Sequence, residues 1–125
     1  VMHNCKGEII SQEFLEATYS VYWDSDNQRE LLGKGKIFDF RGGTVHNENI
    51  EGAILAVADI TGDWREEIIT SVSGEIRIYS SSILANARHI CLMQDPIYRN
   101  NVAHASMGYY QVPLTTYSIP FRSSK

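Results

Sequence analysis

An acidic turn near the middle of the chain carries oxygen-bearing residues at alternate positions. Asp59, Thr61, Asp63 and Glu67 fall at relative positions 1, 3, 5 and 9, and the main-chain carbonyl of Arg65 is available at position 7. Calcium takes about six to eight oxygen ligands, and a tight loop supplies them when alternate side chains and one carbonyl point inward. The spacing therefore predicts a Ca2+ site in a loop between strands.

An earlier turn repeats this pattern at an offset of 37 residues. Asp24, Asp26 and Glu30 occupy the equivalents of positions 3, 5 and 9, whereas Tyr22 stands at position 1, where a carboxylate would be the better ligand. We therefore expect the earlier turn to bind Ca2+ more weakly than the later one, or not at all.

The same turns have a simpler interpretation that involves no metal. Asp, Ser, Asn and Gly form turns readily, and acidic side chains in turns commonly face water. Arg29 and Arg65 are also placed where they could neutralise neighbouring carboxylates, with Glu66 as a partner for such a pair. Both interpretations stay open at this point.

Other reactive residues do not form a recognisable catalytic motif. His3, His46, His89 and His104 lie in no HExxH or HxH arrangement, so their spacing does not predict a zinc site. Each is expected to be structural or at the surface, and His104 is the best exception because Tyr109 stands nearby. Aromatic side chains such as Tyr109 and Tyr110 can stack on sugar rings, although core packing is the commoner use of any single one.

Composition and charge exclude several classes of partner. The 125 residues carry a formal net charge of -4 without a Lys/Arg cluster, which argues against nucleic acid. The longest apolar run is Ala53–Ala58, far short of the roughly twenty residues that span a bilayer, so no membrane segment is predicted. Cys5 and Cys91 form no CxxC pair, and either one disulfide or two buried thiols would be consistent with them.

Short segments with a period of two dominate the chain and predict an all-β fold. Runs rich in Val, Ile, Tyr and Thr alternate with turn residues, which is typical of strands in a half-buried sheet. The predicted strands are 18–23, 31–33, 36–40, 54–59, 67–72, 75–80, 89–93 and 114–119. Residues 10–18 are the best helical candidate, and no helix longer than about two turns is expected.

The repeat of the acidic turns suggests how these strands are organised. An interval near forty residues with about four short strands is typical of one β-propeller blade. The chain would then hold about three blades, whereas closed propellers generally have about four to eight. We therefore expect residues 1–125 to be a segment of a β-propeller that the rest of its own propeller completes.

Several segments together resemble the C-terminal portion of the rhamnogalacturonan lyases of polysaccharide lyase family 11. The most specific are GDWREE at 62–67, EIRIY at 75–79 and LMQDPIYR at 92–99. The resemblance extends from about residue 4 to residue 119. It is also carried by NCKGE at 4–8, VYWD at 21–24, ELL at 30–32 and YYQVP at 109–113.

The resemblance implies a secreted, calcium-loaded, eight-bladed β-propeller that cleaves pectic rhamnogalacturonan by β-elimination. In that reaction a base removes the C5 proton of a uronate while a cation neutralises its carboxylate. The acidic turns would match the family's structural calcium sites. The implied sugar-binding positions in this chain are Gly43, Thr44, Tyr109 and Tyr110, and the residues carry over no catalytic base.

Two departures from the family pattern bear on function. Gln94 stands where the family usually has His in its LMHDPxYR stretch, and Tyr110 stands where a sugar-contacting Asn is usual. Both changes concern the choice of glycan. The alternative hypothesis is a calcium-stabilised propeller that binds glycan or protein without chemistry.

Overall fold

The computed structural model describes residues 1–12, 16–40, 45–46, 49–109 and 111–119. Three antiparallel sheets follow one another along the chain, with strand orders β1-β2, β3-β4-β5-β6 and β7-β8-β9. The strands are β1 (Met2–His3), β2 (Ile9–Ser11), β3 (Tyr19–Val21), β4 (Glu30–Gly33), β5 (Lys36–Phe38), β6 (Val45–His46), β7 (Ala53–Ala58), β8 (Glu67–Val72) and β9 (Glu75–Tyr79). A 3-10 turn (Leu92–Gln94) and one α-helix, α1 (Pro96–Ser106), follow. The predicted all-β class is confirmed.

Two-residue turns connect the hairpins that the sequence predicts. Lys34 and Gly35, between β4 and β5, both have positive φ angles of 50° and 73°. Positive φ at both central positions matches the right-handed twist of the flanking strands. The turn between β8 and β9 contains Gly74 at φ 83°, a conformation that costs glycine no steric strain.

The main hydrophobic core joins the second and third sheets. Its buried members come from β3, β4, β5, β7, β8 and the loops beside them: Val21, Trp23, Leu32, Ile37, Ile50, Val57 and Ile68. A smaller cluster of Trp64, Leu92 and Tyr98 lies where α1 meets the later acidic turn. The two sheets and the helix are therefore packed as one unit around the loops that carry the acidic residues.

A buried polar junction fixes these elements to one another. Arg29, just before β4, donates from both terminal nitrogens to the two carboxylate oxygens of Glu66 at 2.9 Å each. Tyr98 of α1 donates its hydroxyl to Glu66 Oε1 at 2.6 Å and accepts the Asp59 N–H at 3.0 Å. Burial raises the pKa of the Tyr98 phenol, so the phenol stays protonated and donates. The prediction that Glu66 pairs with a neighbouring arginine is confirmed.

The buried junction predicts how removal of the Tyr98 hydroxyl oxygen changes the stability of the protein. Tyr98→Phe leaves the buried Asp59 N–H without its acceptor, and such a loss costs about 1–3 kcal/mol. The free energy of unfolding, measured by denaturant titration, should fall by that amount. Tyr109→Phe, at an exposed tyrosine, is the matched control. Equal stability of the two variants would contradict a role for the phenol in the junction.

The helix α1 corrects the prediction that no helix exceeds about two turns. Asp95 caps it by accepting the N–H groups of Ile97 and Tyr98, and Pro96 occupies its first turn. Asp followed by Pro is a helix-start signal that hydrophobic periodicity alone does not detect. The predicted strands at 89–93 and 114–119 are also wrong, because loop and 3-10 structure is found there.

The helix predicted at residues 10–18 is not found where the structure describes that segment. Residues 9–11 form β2, so the helix predicted from residue 10 is wrong at its start, while residues 13–15 lie outside the described part.

Cys5 and Cys91 are both free thiols, and Cys5 is exposed, so neither the disulfide nor a fully buried pair is present. Among the described residues, no helix has the length and apolar character needed to cross a membrane.

Candidate metal-binding turns

The carboxylate of Asp59 in the later turn is occupied by main-chain donors. Its Oδ1 accepts the N–H of Gly62 at 2.8 Å, and its Oδ2 accepts those of Trp64 at 3.1 Å and Leu92 at 2.7 Å. The side chain is fully buried. Asp59 therefore closes the turn on itself and ties it to the 3-10 turn before α1.

The other predicted ligands of the later turn are engaged in the same way. Glu67 accepts the N–H groups of Ile60 and Thr61 through Oε2 and the Thr61 hydroxyl through Oε1. Asp63 accepts from the main-chain N–H and the guanidinium of Arg65, with the Nε contact at 3.1 Å. Hydrogen bonds within the protein thus hold this turn in shape, as the metal-free interpretation expects of Arg65.

The earlier turn differs from the later one in the hydrogen bonding of a buried carboxylate oxygen. Glu30 is 1% exposed, and its Oε2 accepts the Trp23 N–H at 2.7 Å. Its Oε1 is buried and has no hydrogen-bond partner among the described residues. Leaving a buried acceptor unsatisfied is costly, so this oxygen marks a place where a cation would fit.

Two more carboxylates meet Glu30 at this point. One ligand atom each from Asp24, Asp26 and Glu30 lies within 4.8 Å of the others. Oxygens bound to one Ca2+ at about 2.3–2.6 Å can be at most about 5 Å apart, so the group matches the reach of such an ion. Turn hydrogen bonds position the two aspartates: Asp24 accepts the Asp26 N–H at 2.8 Å, and Asp26 accepts that of Gln28 at 2.7 Å. This acidic group can hold a metal ion.

The electrostatics of the earlier turn also favour a cation. Burial is the largest factor that raises the pKa of Glu30, to about 8, and the charges of Asp24 and Asp26 add to it. Burial and the charges of Asp26 and Asp39 raise the pKa of Asp24 as well, against the lowering effect of its hydrogen bond from Asp26. A bound cation would favour the ionised form of both carboxyls and so oppose the effect of burial and of the neighbouring charges.

The raised pKa of Glu30 gives the metal-free protein a specific pH dependence. The folded pKa of about 8 exceeds the usual value near 4.3, so the contribution of Glu30 to stability is complete below about pH 4 and disappears as pH rises through 8. In chelator, the free energy of unfolding should therefore fall across that interval. Glu30→Gln should flatten the decline, and Glu8→Gln, at an exposed glutamate, should not. An identical slope in all three proteins would contradict the assignment.

Residue spacing favours the later turn as the stronger metal site, whereas the positions of the ligand atoms favour the earlier turn. Among the described residues, the groups of three ligand atoms within 4.8 Å both contain Asp24, and one of them adds Asp39 and His46. The carboxylates of the later turn form no such group among the residues that the structure describes. Sequence spacing missed Asp39 and His46, because only strand pairing brings the ends of β5 and β6 beside the earlier turn.

The predicted sugar-binding residues are only partly described. Tyr109 is 68% exposed, and its ring lies 6.3 Å from that of His104 in an edge-on arrangement. Exposure leaves the aromatic face of Tyr109 open to a ligand. Gly43, Thr44 and Tyr110 lie outside the described residues, so their sugar contacts stay predictions.

The chain is similar in sequence and in fold to two rhamnogalacturonan lyases. The chain is 30% identical to the rhamnogalacturonan endolyase YesW and 33% identical to the rhamnogalacturonan exolyase YesX, both of Bacillus subtilis (strain 168). The alignments cover 93% and 90% of the chain. The crystal structures of YesW and YesX superpose with TM-scores of 0.67 and 0.73 over 86% and 96% of the chain, at 29% and 31% identity.

The family follows from a match over nearly the whole chain. A model of the rhamnogalacturonan lyase family 11 C-terminal domain matches residues 1–122. The chain belongs to this family. It spans 21% and 22% of the lengths of YesW and YesX in the sequence alignments, and 21% and 24% of their crystallised chains.

Proposed function

We propose that this chain is the C-terminal part of a secreted polysaccharide lyase that cleaves a uronate-containing glycan, such as pectic rhamnogalacturonan, by calcium-assisted β-elimination. The observation that carries the proposal is the family match over residues 1–122. The two curated relatives are an endolyase and an exolyase of rhamnogalacturonan. Their printed activities support a polysaccharide as the substrate, and the extracellular location of such glycans supports secretion.

In the proposed reaction this segment contributes to sugar binding and does not supply the catalytic base. Lyase chemistry needs a base for the C5 proton and a positive charge near the uronate carboxylate. The base would lie in the remainder of the protein, because the resemblance carries over no catalytic base to this chain. The exposed face of Tyr109 supports a contribution to sugar binding, since aromatic rings cover the apolar C–H patches of sugars.

The third sheet supports completion of the fold by further propeller blades. Ile76 and Ile78 of the edge strand β9 are 68% and 57% exposed, although both are large and apolar. An exposed apolar edge strand needs a cover, because its free backbone groups pair readily with other chains. We propose that the rest of the same propeller provides that cover, and the four-stranded second sheet fits a blade.

Calcium is the ion that we propose for the earlier turn. Asp24, Asp26 and Glu30 offer only oxygen ligands, and Ca2+ prefers carboxylate and carbonyl oxygens. Binding there would satisfy Glu30 Oε1 and hold the loop between β3 and β4 in one shape. The role is structural, and it leaves the charge that assists elimination to another part of the protein.

One pair of matched substitutions tests the calcium assignment. Glu30→Gln in the complete protein should remove one bound Ca2+, measured by atomic absorption after dialysis, and should lower the melting temperature gained on adding Ca2+. Glu67→Gln alters the equivalent residue of the later turn and should keep the wild-type calcium content, because that carboxylate is already hydrogen-bonded. Loss of one Ca2+ from Glu67→Gln and none from Glu30→Gln would place the ion in the later turn instead.

The activity itself is tested on the complete protein. Incubation with pectic rhamnogalacturonan and with other uronate glycans should produce the ultraviolet absorbance of unsaturated uronate ends. Chelation followed by calcium addition should abolish and then restore the rate. If no glycan gives new absorbance while glycan binding persists, the non-catalytic binding propeller is the better description.

A further inference from the structure

We propose that Asp24, Asp39 and His46 form a second metal site beside the oxygen-only turn, one that takes a divalent first-row transition ion such as Zn2+. The inference concerns the ligands of this one cluster and does not depend on lyase activity. It starts from the other group of ligand atoms that the structure assembles around Asp24.

Strand pairing brings the three residues together from distant points in the sequence. Asp39 follows β5 directly, and His46 in β6 pairs with Ile37 of β5. Asp24 comes from the loop after β3, on the other side of β4 in the same sheet. One ligand atom from each of the three lies within 4.8 Å of the other two.

The imidazole of His46 is the observation that points to a ligand. Its side chain is 13% exposed, and Nε2 is buried without a hydrogen-bond partner among the described residues. Nε2 lies 4.0 Å from Asp24 Oδ2, which is too long for a hydrogen bond. Two ligands at about 2.1 Å in a tetrahedral site lie about 3.4 Å apart, so closing the 4.0 Å gap by about 0.6 Å would let one ion bind both atoms.

The donor set selects a different ion from that of the neighbouring group. Ca2+ is coordinated by oxygen, whereas imidazole nitrogen suits Zn2+ and other transition ions. One histidine and two carboxylates give three protein ligands, and a fourth position can be filled by water or by an oxygen of a ligand. Both aspartates are half-buried, so their two negative charges are partly removed from solvent and attract a divalent ion.

Asp24 belongs to both groups and couples them. Its Oδ1 accepts the Asp26 N–H, which leaves Oδ2 as the oxygen nearest to His46. Glu30, with one orphaned oxygen, belongs to the first group, and His46, with one orphaned nitrogen, belongs to the second. A carboxylate shared in this way would let two cations bind side by side, with one negative charge between them to reduce their repulsion.

Calorimetry on the complete protein tests the proposal. In buffer with saturating Ca2+, we expect wild type to bind one more Zn2+ ion than His46→Gln does. If both bind the same number, wild type should bind Zn2+ at least roughly tenfold more tightly. Asp39→Asn should show the same loss. His104→Gln, at an exposed histidine of α1, is the matched control and should bind Zn2+ as wild type does. The calcium content of His46→Gln should stay unchanged, whereas Glu30→Gln should lose calcium and keep the zinc site.

A spectroscopic measurement keeps the proposal testable if a variant fails to fold. Co2+ added to the calcium-loaded wild type should give visible absorption bands typical of nitrogen and oxygen ligands, and Zn2+ should abolish them. Equal zinc binding by wild type, His46→Gln and Asp39→Asn would overturn the proposal. Displacement of Zn2+ by Ca2+ in a one-to-one ratio would also overturn it, because the cluster would then hold a single site.

Discussion

The arrangement of the molecule depends on the buried ion pair between Arg29 and Glu66. The Glu66 carboxylate is fully enclosed and accepts from Arg29, from the Tyr98 hydroxyl and from the Tyr22 N–H. Arg29 lies 4.2 Å from the centre of the Tyr22 ring and also donates to the Pro113 carbonyl at 2.7 Å. An enclosed ion pair is tolerated when every remaining donor and acceptor is satisfied, and this one links both large sheets, α1 and the C-terminal loop.

The ion pair also joins the two copies of the repeat, whose acidic turns differ. In the 37-residue repeat, Arg29 is the counterpart of Glu66, and Glu30 is the counterpart of Glu67. The pair therefore joins equivalent points of the two copies and brings the turns into one structure. In the later copy Glu67 folds back onto the main chain of its own loop, whereas Glu30 keeps one oxygen without a donor among the described residues. Similar sequences thus produce one hydrogen-bonded turn and one turn with room for a cation.

Much of the fold could be predicted from local chemistry. The strand at Glu67–Val72 and the two Gly-containing hairpins follow from alternation and turn preferences, which act over a few residues. The helix after Asp95 was missed because its stability comes from a cap and from the burial of Tyr98, and not from an apolar stripe. The segment 114–119 alternates like a strand but has no neighbouring strand to pair with among the described residues, so it stays in a loop.

The sequence by itself determined the class of the protein, its family and the two acidic turns, because these depend on residue types at fixed short spacings. Tertiary structure decided which carboxylates have spare oxygens. Spacing cannot reveal that Asp59 accepts the Leu92 N–H from 33 residues away. Nor can it reveal that β5 and β6 carry Asp39 and His46 to the side of Asp24. A metal ion responds to the positions of ligand atoms in space, and strand pairing sets those positions.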